Sequence, residues 1–454
     1  MFLEQVQIRG VPIRAIMSSV GAFLICLMLG AFYTFGNIMP YLVSYMRSDM
    51  GVSQNITYSD FATVNLVFGI GNGISLFIAP MVLVPLLGNR LVLIIGCVLF
   101  CGGALATRWT MEYSLNWVIV TYGLIQGLGN MALMPCYTVP MSWFPEHKGK
   151  IMGIVIAGYG ISSTIMNQVQ LAITNPNDVD AISPDGTDDA YFENPDVLER
   201  VPTLLYSLSG IYATFQLIGI ILTADPPDFE PPRVSFKWAS LKRAFKGFGS
   251  SVLTRREFYL LFITRFCFTI VTQTIPTYYK AFGLTFISSD SFITNYIGTF
   301  SGIMQWISRM AYGFALDWVP YKMVVCFQSG VLALFVGTFY LTCEMGKVAY
   351  LIWMYVIYLT FPAIYAILPA KCTEVFGSKY GGPVIGTIAL GDIILNLTIK
   401  YVGEAILQGS RKDYLYFFLF VMIGPVIGCV TTLFFRQTDE DKARSAKCAQ
   451  LVCK

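Results

Sequence analysis

Long apolar runs alternate with short polar stretches along the whole chain, and most runs approach the ~20 residues an α-helix needs to cross a bilayer. They predict twelve membrane-spanning helices, at 15–40, 61–86, 91–107, 116–140, 150–173, 202–223, 257–282, 292–316, 321–342, 348–370, 382–405 and 414–435. The longer runs imply tilt, or helix continuing past the interface. An even number of crossings puts both termini on one side. One run departs from the pattern. In SGIMQWISRMAYGFALDW (301–318), Ser301, Gln305, Ser308, Arg309 and Tyr312 fall at i, i+4, i+7, i+8 and i+11, one polar stripe on a helix. An ionised side chain facing hydrocarbon costs about 3 kcal/mol or more, so the stripe must face a watery cavity or a partner. The run ends in a turn with an acid and a base, Asp317 and Lys322. A buried cation above a charged interfacial turn is what a carrier of small anions needs.

Composition fits this picture. Hydrophobic residues make up 55%, charged residues 13%, and mean hydropathy is +0.62, whereas soluble domains carry roughly 25% charged residues. A net charge of +3 gives no reason to expect nucleic acid. The eleven cysteines show no CxxC pairing and no histidine at ligand spacing, so they read as small helix-packing residues. No cofactor and no metal site is expected, nor any nucleophile–base constellation of an enzyme. The first apolar run lacks a small-residue cleavage pattern and is read as a retained span.

Charge bias assigns the sides. Arg90, Lys148, Lys150, and then Arg233, Lys237, Lys242, Arg243, Lys246, Arg255 and Arg256 occupy the 2–3, 4–5 and 6–7 connections; with Arg9, Arg14 and Arg436 they mark the termini as cytosolic. The 5–6 connection (174–201) carries Asp178, Asp180, Asp185, Asp188, Asp189, Glu193, Asp196 and Glu199 and reads as an acidic external loop. Asn55-Ile56-Thr57 would also lie outside, as a possible glycan acceptor. The expected organisation is an N-terminal six-helix bundle (1–224), a basic linker (225–256), a C-terminal six-helix bundle (257–436) and a cytosolic tail (437–454). Asp225-Pro226-Pro227 and Pro231-Pro232 stop the sixth helix, and WASLKRAFKGF (238–248) reads as a basic amphipathic helix on the inner surface.

The two halves echo each other. Gly88-Asn89-Arg90 after the second span corresponds to Gly313–Lys322 after the eighth. WFPEHKGKIMGIVIAGYG (143–160) before the fifth corresponds to EVFGSKYGGPVIGTIALGD (374–392) before the eleventh. This weak internal symmetry suits a transporter of two rocking halves. It makes Gly88, Arg90, Gly313, Asp317 and Lys322 candidates for conformational gating. Helix rise places Arg309, Arg265 and Asp392 at roughly 10, 12 and 15 Å depth, one shared layer of the C-terminal half. Two arginines and one aspartate leave one positive charge, enough for one carboxylate. Asp392 and Arg265 are candidates for proton coupling or a charge pair, the alternative being a permanent pair of Asp392 with Arg309 or Arg265. The favoured arrangement is an Arg309–Asp392 unit whose pairing changes with substrate. The uncharged lining candidates are Tyr33, Thr34 and Asn37 in span one, Tyr122, Gln126 and Asn130 in span four, and Tyr355 and Tyr358 in span ten. Interhelical hydrogen bonding or packing is the plainer role for each. GIGNG (69–73) reads as close helix contact rather than a phosphate loop, and the one histidine, His147, lies in the 4–5 turn, outside any intramembrane relay.

These pieces resemble the major facilitator superfamily, and within it the branch of oxalate/formate antiporters and monocarboxylate transporters. Gly30-Ala-Phe-Tyr33 with Pro40-Tyr41 resembles that branch's first helix, and Trp143-Phe144-Pro145, Lys148-Gly149 and Gly153 its 4–5 turn. Arg309, Gly313 and Asp317 match its R-x-x-x-G-x-x-x-D; Pro369, Phe376-Gly377 and Gly386 match its 10–11 region. The resemblance implies alternating access around a central site, with Arg309 binding substrate carboxylate. Three positions depart from it. Asn37 stands where the monocarboxylate branch has lysine, Gln305 where it has aspartate, and Asp392 where the oxalate branch has lysine. They argue against a dianion held between two cations.

The expectation is an all-α membrane protein of two pseudo-symmetric six-helix bundles carrying small organic monocarboxylates, by proton symport or exchange. Its partners would be an organic anion, the bilayer and protons, with no accessory protein indicated, and its location the plasma membrane rather than an organelle. A carrier of neutral or cationic nutrients or drugs, with Asp392 dominant, is the first alternative; a non-transporting membrane sensor or scaffold is the second.

Overall fold

All twelve expected crossings are helices. A computed structural model describes residues 7–8, 11–48, 56, 58–177, 179, 181–182, 191–227, 242, 245–286, 294–406 and 411–452. The N-terminal half comprises α1 (Ile13–Arg47), α2 (Thr63–Leu87), α3 (Asn89–Thr110), α4 (Leu115–Trp143), α5 (Lys148–Thr174) and α6 (Pro195–Leu222). The C-terminal half comprises α7 (Arg256–Phe286), α8 (Thr299–Trp318), α9 (Tyr321–Gly337, continued by Phe339–Met345 across a 41° bend), α10 (Lys347–Gly377), α11 (Lys379–Ile399) and α12 (Arg411–Leu433). Only α8 falls short of the apolarity of a typical span, because its polar stripe lowers it. A last helix, α13 (Asp439–Val452), follows where only a tail was expected. Strand is confined, among the described residues, to the pair Gln7–Ile8 with Val11–Pro12 and one bridge, Ile182 to Tyr191.

Helices dominate because a backbone in hydrocarbon must satisfy its own hydrogen bonds. The inner helices interrupt that rule locally. α1 tightens to a 3-10 turn at Gly30–Thr34, α4 widens at Ile119–Ile125, and α10 tightens at Phe361–Ala363. Gly377, at φ +70°, turns the chain between α10 and α11. Such irregular turns survive at membrane depth where they are covered by protein or line a cavity. Cys26, Cys97, Cys136, Cys267 and Cys372 are buried and unbridged.

Two helix pairs make most of the contact between the halves, α5 with α8 and α2 with α11. Small residues allow this contact. A Cβ on Gly149 would sit 2.5 Å from the Gly313 carbonyl oxygen, and one on Gly153 2.7 Å from that of Arg309. At the α2–α11 seam a Cβ on Gly386 would meet the Leu76 carbonyl oxygen at 2.1 Å. Backbones this close pack without interposed side chains, as in small-xxx-small membrane interfaces.

Residues 178, 180 and 183–190 of the expected acidic loop, Asn55 and Thr57 of the glycan triplet, and most of 238–248 lie outside the described residues; 245–248 is helical.

Candidate functional site

The site is built around Arg309, which α8 presents to α5 at the seam between the halves. Its side chain is 1% exposed. Nη1 donates to the Ile156 carbonyl oxygen of α5 (3.1 Å) and Nη2 to Gln305 Oε1 one turn away (3.3 Å), while Nε has no partner. The guanidinium faces two rings, Tyr159 of the N-terminal half at 5.7 Å and Tyr365 of the C-terminal half at 5.5 Å. Cation–π attraction of this kind is worth about 2 kcal/mol when desolvated, too little to replace a counter-ion. Among the described residues no carboxylate pairs with Arg309.

Asp392 belongs instead to Arg265. Arg265 Nη2 donates to Asp392 Oδ2 at 2.6 Å, and Thr269 Oγ1 to Asp392 Oδ1 at 2.8 Å. This corrects the expected Arg309–Asp392 unit. The three charges do lie together, but Asp392 on α11 faces α7, and one helical turn beyond Arg265 the Thr269 hydroxyl completes its coordination. Tyr365 stands between the two cations, with Arg265 Cζ 4.3 Å from its ring. Arg265 Nη1, like Arg309 Nε, is buried without a partner. The cluster therefore holds one neutralised pair, one uncompensated guanidinium and two donor nitrogens without a partner, an arrangement suited to a single added anion.

Tyr33 closes the cluster from α1. It is 45% exposed although it lies inside the bundle, so water-sized space reaches it. Its ring meets Tyr159 edge-on at 5.1 Å, and Tyr365, Arg309 and Arg265 are within electrostatic reach. Other lining candidates are drawn elsewhere. Asn37 Nδ2 donates to Gln170 Oε1 (2.9 Å) and Gln170 Nε2 to Thr34 Oγ1 (2.5 Å), tying α1 to α5. Gln126 and Asn130 are fully buried in α4, and the Gln126 Cβ packs against Gly103 of α3. Tyr355 donates to the Tyr296 carbonyl oxygen in the turn just before α8, and Tyr358 packs on Phe361 and Tyr279. Sequence reasoning passed over Tyr365 and Tyr159. The available signals were the Phe361-Pro362 break just before Tyr365, and the Gly149–Gly153–Gly160 stripe that marks the α8-facing side of α5 next to Tyr159.

The gating candidates separate into two groups. Asp317 spans the halves, its carboxylate accepting Gly149 N and Lys150 N, both at 2.9 Å. These are first-turn N–H groups of α5, which have no partner within their own helix. Gly313 lies in the same seam. Lys322 does not join it; its Nζ donates to the Leu433 carbonyl oxygen at the end of α12 (2.8 Å). Gly88, at φ +82°, forms the α2–α3 turn. Arg90 is exposed, and Asn89 rather than Arg90 makes the tie there, Nδ2 to Asp225 Oδ1 at 2.6 Å.

Beneath the seam, α13 docks through a buried charge cluster that the sequence did not suggest. Lys371 is fully buried and donates to Asp441 Oδ2 (2.6 Å), Thr438 Oγ1 (3.0 Å) and Glu374. Asp441 Oδ1 accepts Tyr321 N at 3.1 Å, and Arg444 reaches Glu374 at 3.0 Å. Glu440 extends to Lys148 of the N-terminal half at 3.9 Å. Burial by itself raises the Asp441 carboxyl; the Lys371 ammonium beside it outweighs this and holds it below its ordinary range.

Comparison with known proteins sets this geometry in context. The family model described as Major Facilitator Superfamily matches residues 22–394. Two curated relatives from Toxoplasma gondii are similar. "Apicoplast pyruvate carrier 1" is 27% identical over 254 residues, 46% of each chain. "Apicoplast pyruvate carrier 2" is 24% identical over 245 residues, 45% of this chain and 37% of that one. The chain thus matches less than half the length of either. Among solved structures, the E. coli fucose:proton symporter covers 93% of this chain and 99% of its own at 18% identity, with a TM-score of 0.67. A proton:xylose symporter covers 94% and 97% at 13% identity, with a TM-score of 0.68. At these identities the likeness is one of fold.

Proposed function

The chain belongs to the Major Facilitator Superfamily, and from that premise we propose that it carries small organic monocarboxylates across the membrane by alternating access, with proton symport or exchange. It is an integral multi-pass transporter rather than an enzyme. The observation that carries the substrate class is Arg309: a guanidinium buried at the meeting of the halves, without an acid partner among the described residues and with an idle Nε. A permanent uncompensated charge at this depth is costly, and a substrate carboxylate would relieve it. Asp392, already satisfied by Arg265 and Thr269, leaves that role open. The two curated relatives support the reading, since pyruvate is a monocarboxylate.

The test is uptake of radiolabelled carboxylates and neutral sugars into proteoliposomes, with and without an inward proton gradient. Monocarboxylates should accumulate. Arg309→Gln should abolish their uptake, and Arg309→Lys should retain little of it, because lysine keeps the charge but loses the planar fork. Sugar uptake that survives Arg309→Gln would exclude the reading.

A further inference from the structure

A second polar feature lies outside the pore. At the membrane face that carries both termini, an open cavity of about 930 Å³ lies among the start of α7, the start of α9, the end of α12 and α13. Arg256, Lys322, Arg436 and Lys442 line it, with Glu257 as the one acid in its wall. Lys322 is committed to the Leu433 carbonyl oxygen and Lys442 to Asp439 at 2.8 Å. Arg256 and Arg436 are exposed and form no ion pair or hydrogen bond among the described residues. Two free guanidinium groups facing one cavity are suited to a phosphate group, which each can grip at two oxygens.

The surroundings indicate where such a phosphate comes from. Leu433 and Phe434, in the cavity wall, are 58% and 60% exposed. From them an apolar strip continues into the membrane, Val430 (48%) and Ile427 (43%) on α12 beside Phe327 (64%) and Leu334 (60%) on the adjoining α9. A cationic cavity opening onto an apolar strip matches an amphiphile, with the headgroup in the cavity and an acyl chain along α9 and α12. We propose that this cavity is a binding site for the phosphate headgroup of an anionic membrane lipid. Its location on the outer face of the C-terminal half keeps it clear of the Arg309 cluster, so it stands independently of the substrate assignment.

The experiment uses the full chain purified in neutral detergent and follows its thermal unfolding while phosphatidic acid, phosphatidylcholine or inorganic phosphate is added. Phosphatidic acid should stabilise the protein at concentrations where phosphatidylcholine and inorganic phosphate do not, and added salt should weaken the effect. At about fivefold per surface charge, the Arg256→Gln/Arg436→Gln double variant should need roughly thirtyfold more phosphatidic acid. The Arg256→Lys/Arg436→Lys variant keeps the charge but loses the two-oxygen grip, so it should fall between the parent and the glutamine variant, which separates lost charge from damaged folding. Equal stabilisation by phosphatidylcholine, or an unchanged response in the glutamine double variant, would overturn the site. Stabilisation by inorganic phosphate at the same concentration would overturn the lipid assignment and point to a soluble phosphorylated ligand.

Discussion

The chemistry of single residues turns on how each of three intramembrane charges is neutralised. Arg265 and Asp392 neutralise each other, with Thr269 completing the carboxylate. Removing one partner from such a pair leaves the other buried and uncompensated, which costs about 3–5 kcal/mol, whereas removing both costs far less. Arg265→Gln and Asp392→Asn should therefore each lower the unfolding temperature, and the double variant should recover much of the loss. Strictly additive losses would mean that the contact contributes nothing. If the pair also carries the coupling proton, Asp392→Asn should abolish pH-driven accumulation while sparing exchange, a readout that a purely structural pair would not move.

At the scale of elements, α8 meets α5 through backbone contacts near Gly149, Gly153 and Gly313, and Asp317 caps the first turn of α5. In the proposed alternating-access cycle, rocking of the halves breaks this cap. Its dipole contribution is about 0.3–1 kcal/mol, with more from the two charge-assisted hydrogen bonds. Asp317→Asn should slow turnover while leaving equilibrium substrate binding nearly intact; lost binding with normal turnover would place Asp317 in the site. The tail helix adds a strap below that seam. The Asp441 carboxyl is held below its ordinary value, so its contribution is present above about pH 3.9 and is lost only as pH falls through the depressed value. Docking should thus be constant across the neutral range and release only in strong acid, whereas Asp441→Asn should undock the tail at neutral pH. Tryptic cleavage after Arg444 reports this directly, and should be several-fold faster in the variant. A rate that rises between about pH 7 and pH 5 would contradict the sign.

For the whole molecule, an even number of crossings places the termini, the 6–7 connection and α13 on one face. From the basic and acidic biases of the connections we propose that this face is cytosolic and that the 174–201 loop lies on the other side. A tag inserted near Asp185 should then be reached by antibody from the non-cytosolic side of intact membranes, and labelling only after permeabilisation of those membranes would reverse the orientation. In the structure both seams, α5–α8 and α2–α11, are shut from the tail side toward the middle, with Tyr33 beside accessible space. The strap and the Asp317 cap reinforce that closure, and in the proposed alternating-access cycle both must yield for the tail side to open.

Hydropathy determined the spans, because a helix in hydrocarbon announces itself by length and apolarity alone. All twelve runs became helices, including α8, whose stripe the polar spacing of Gln305, Ser308 and Arg309 made visible. Depth was also legible, since a constant rise per residue fixes a layer, and Arg265, Arg309 and Asp392 do share one. Partner choice was not. Whether Asp392 meets Arg265 or Arg309 depends on how α7, α8 and α11 are rotated about their axes, which sequence spacing within each helix leaves undetermined. The same limit hid Tyr365, Tyr159 and the Lys371–Asp441 contact, whose members come from different helices and find each other only once the helices pack.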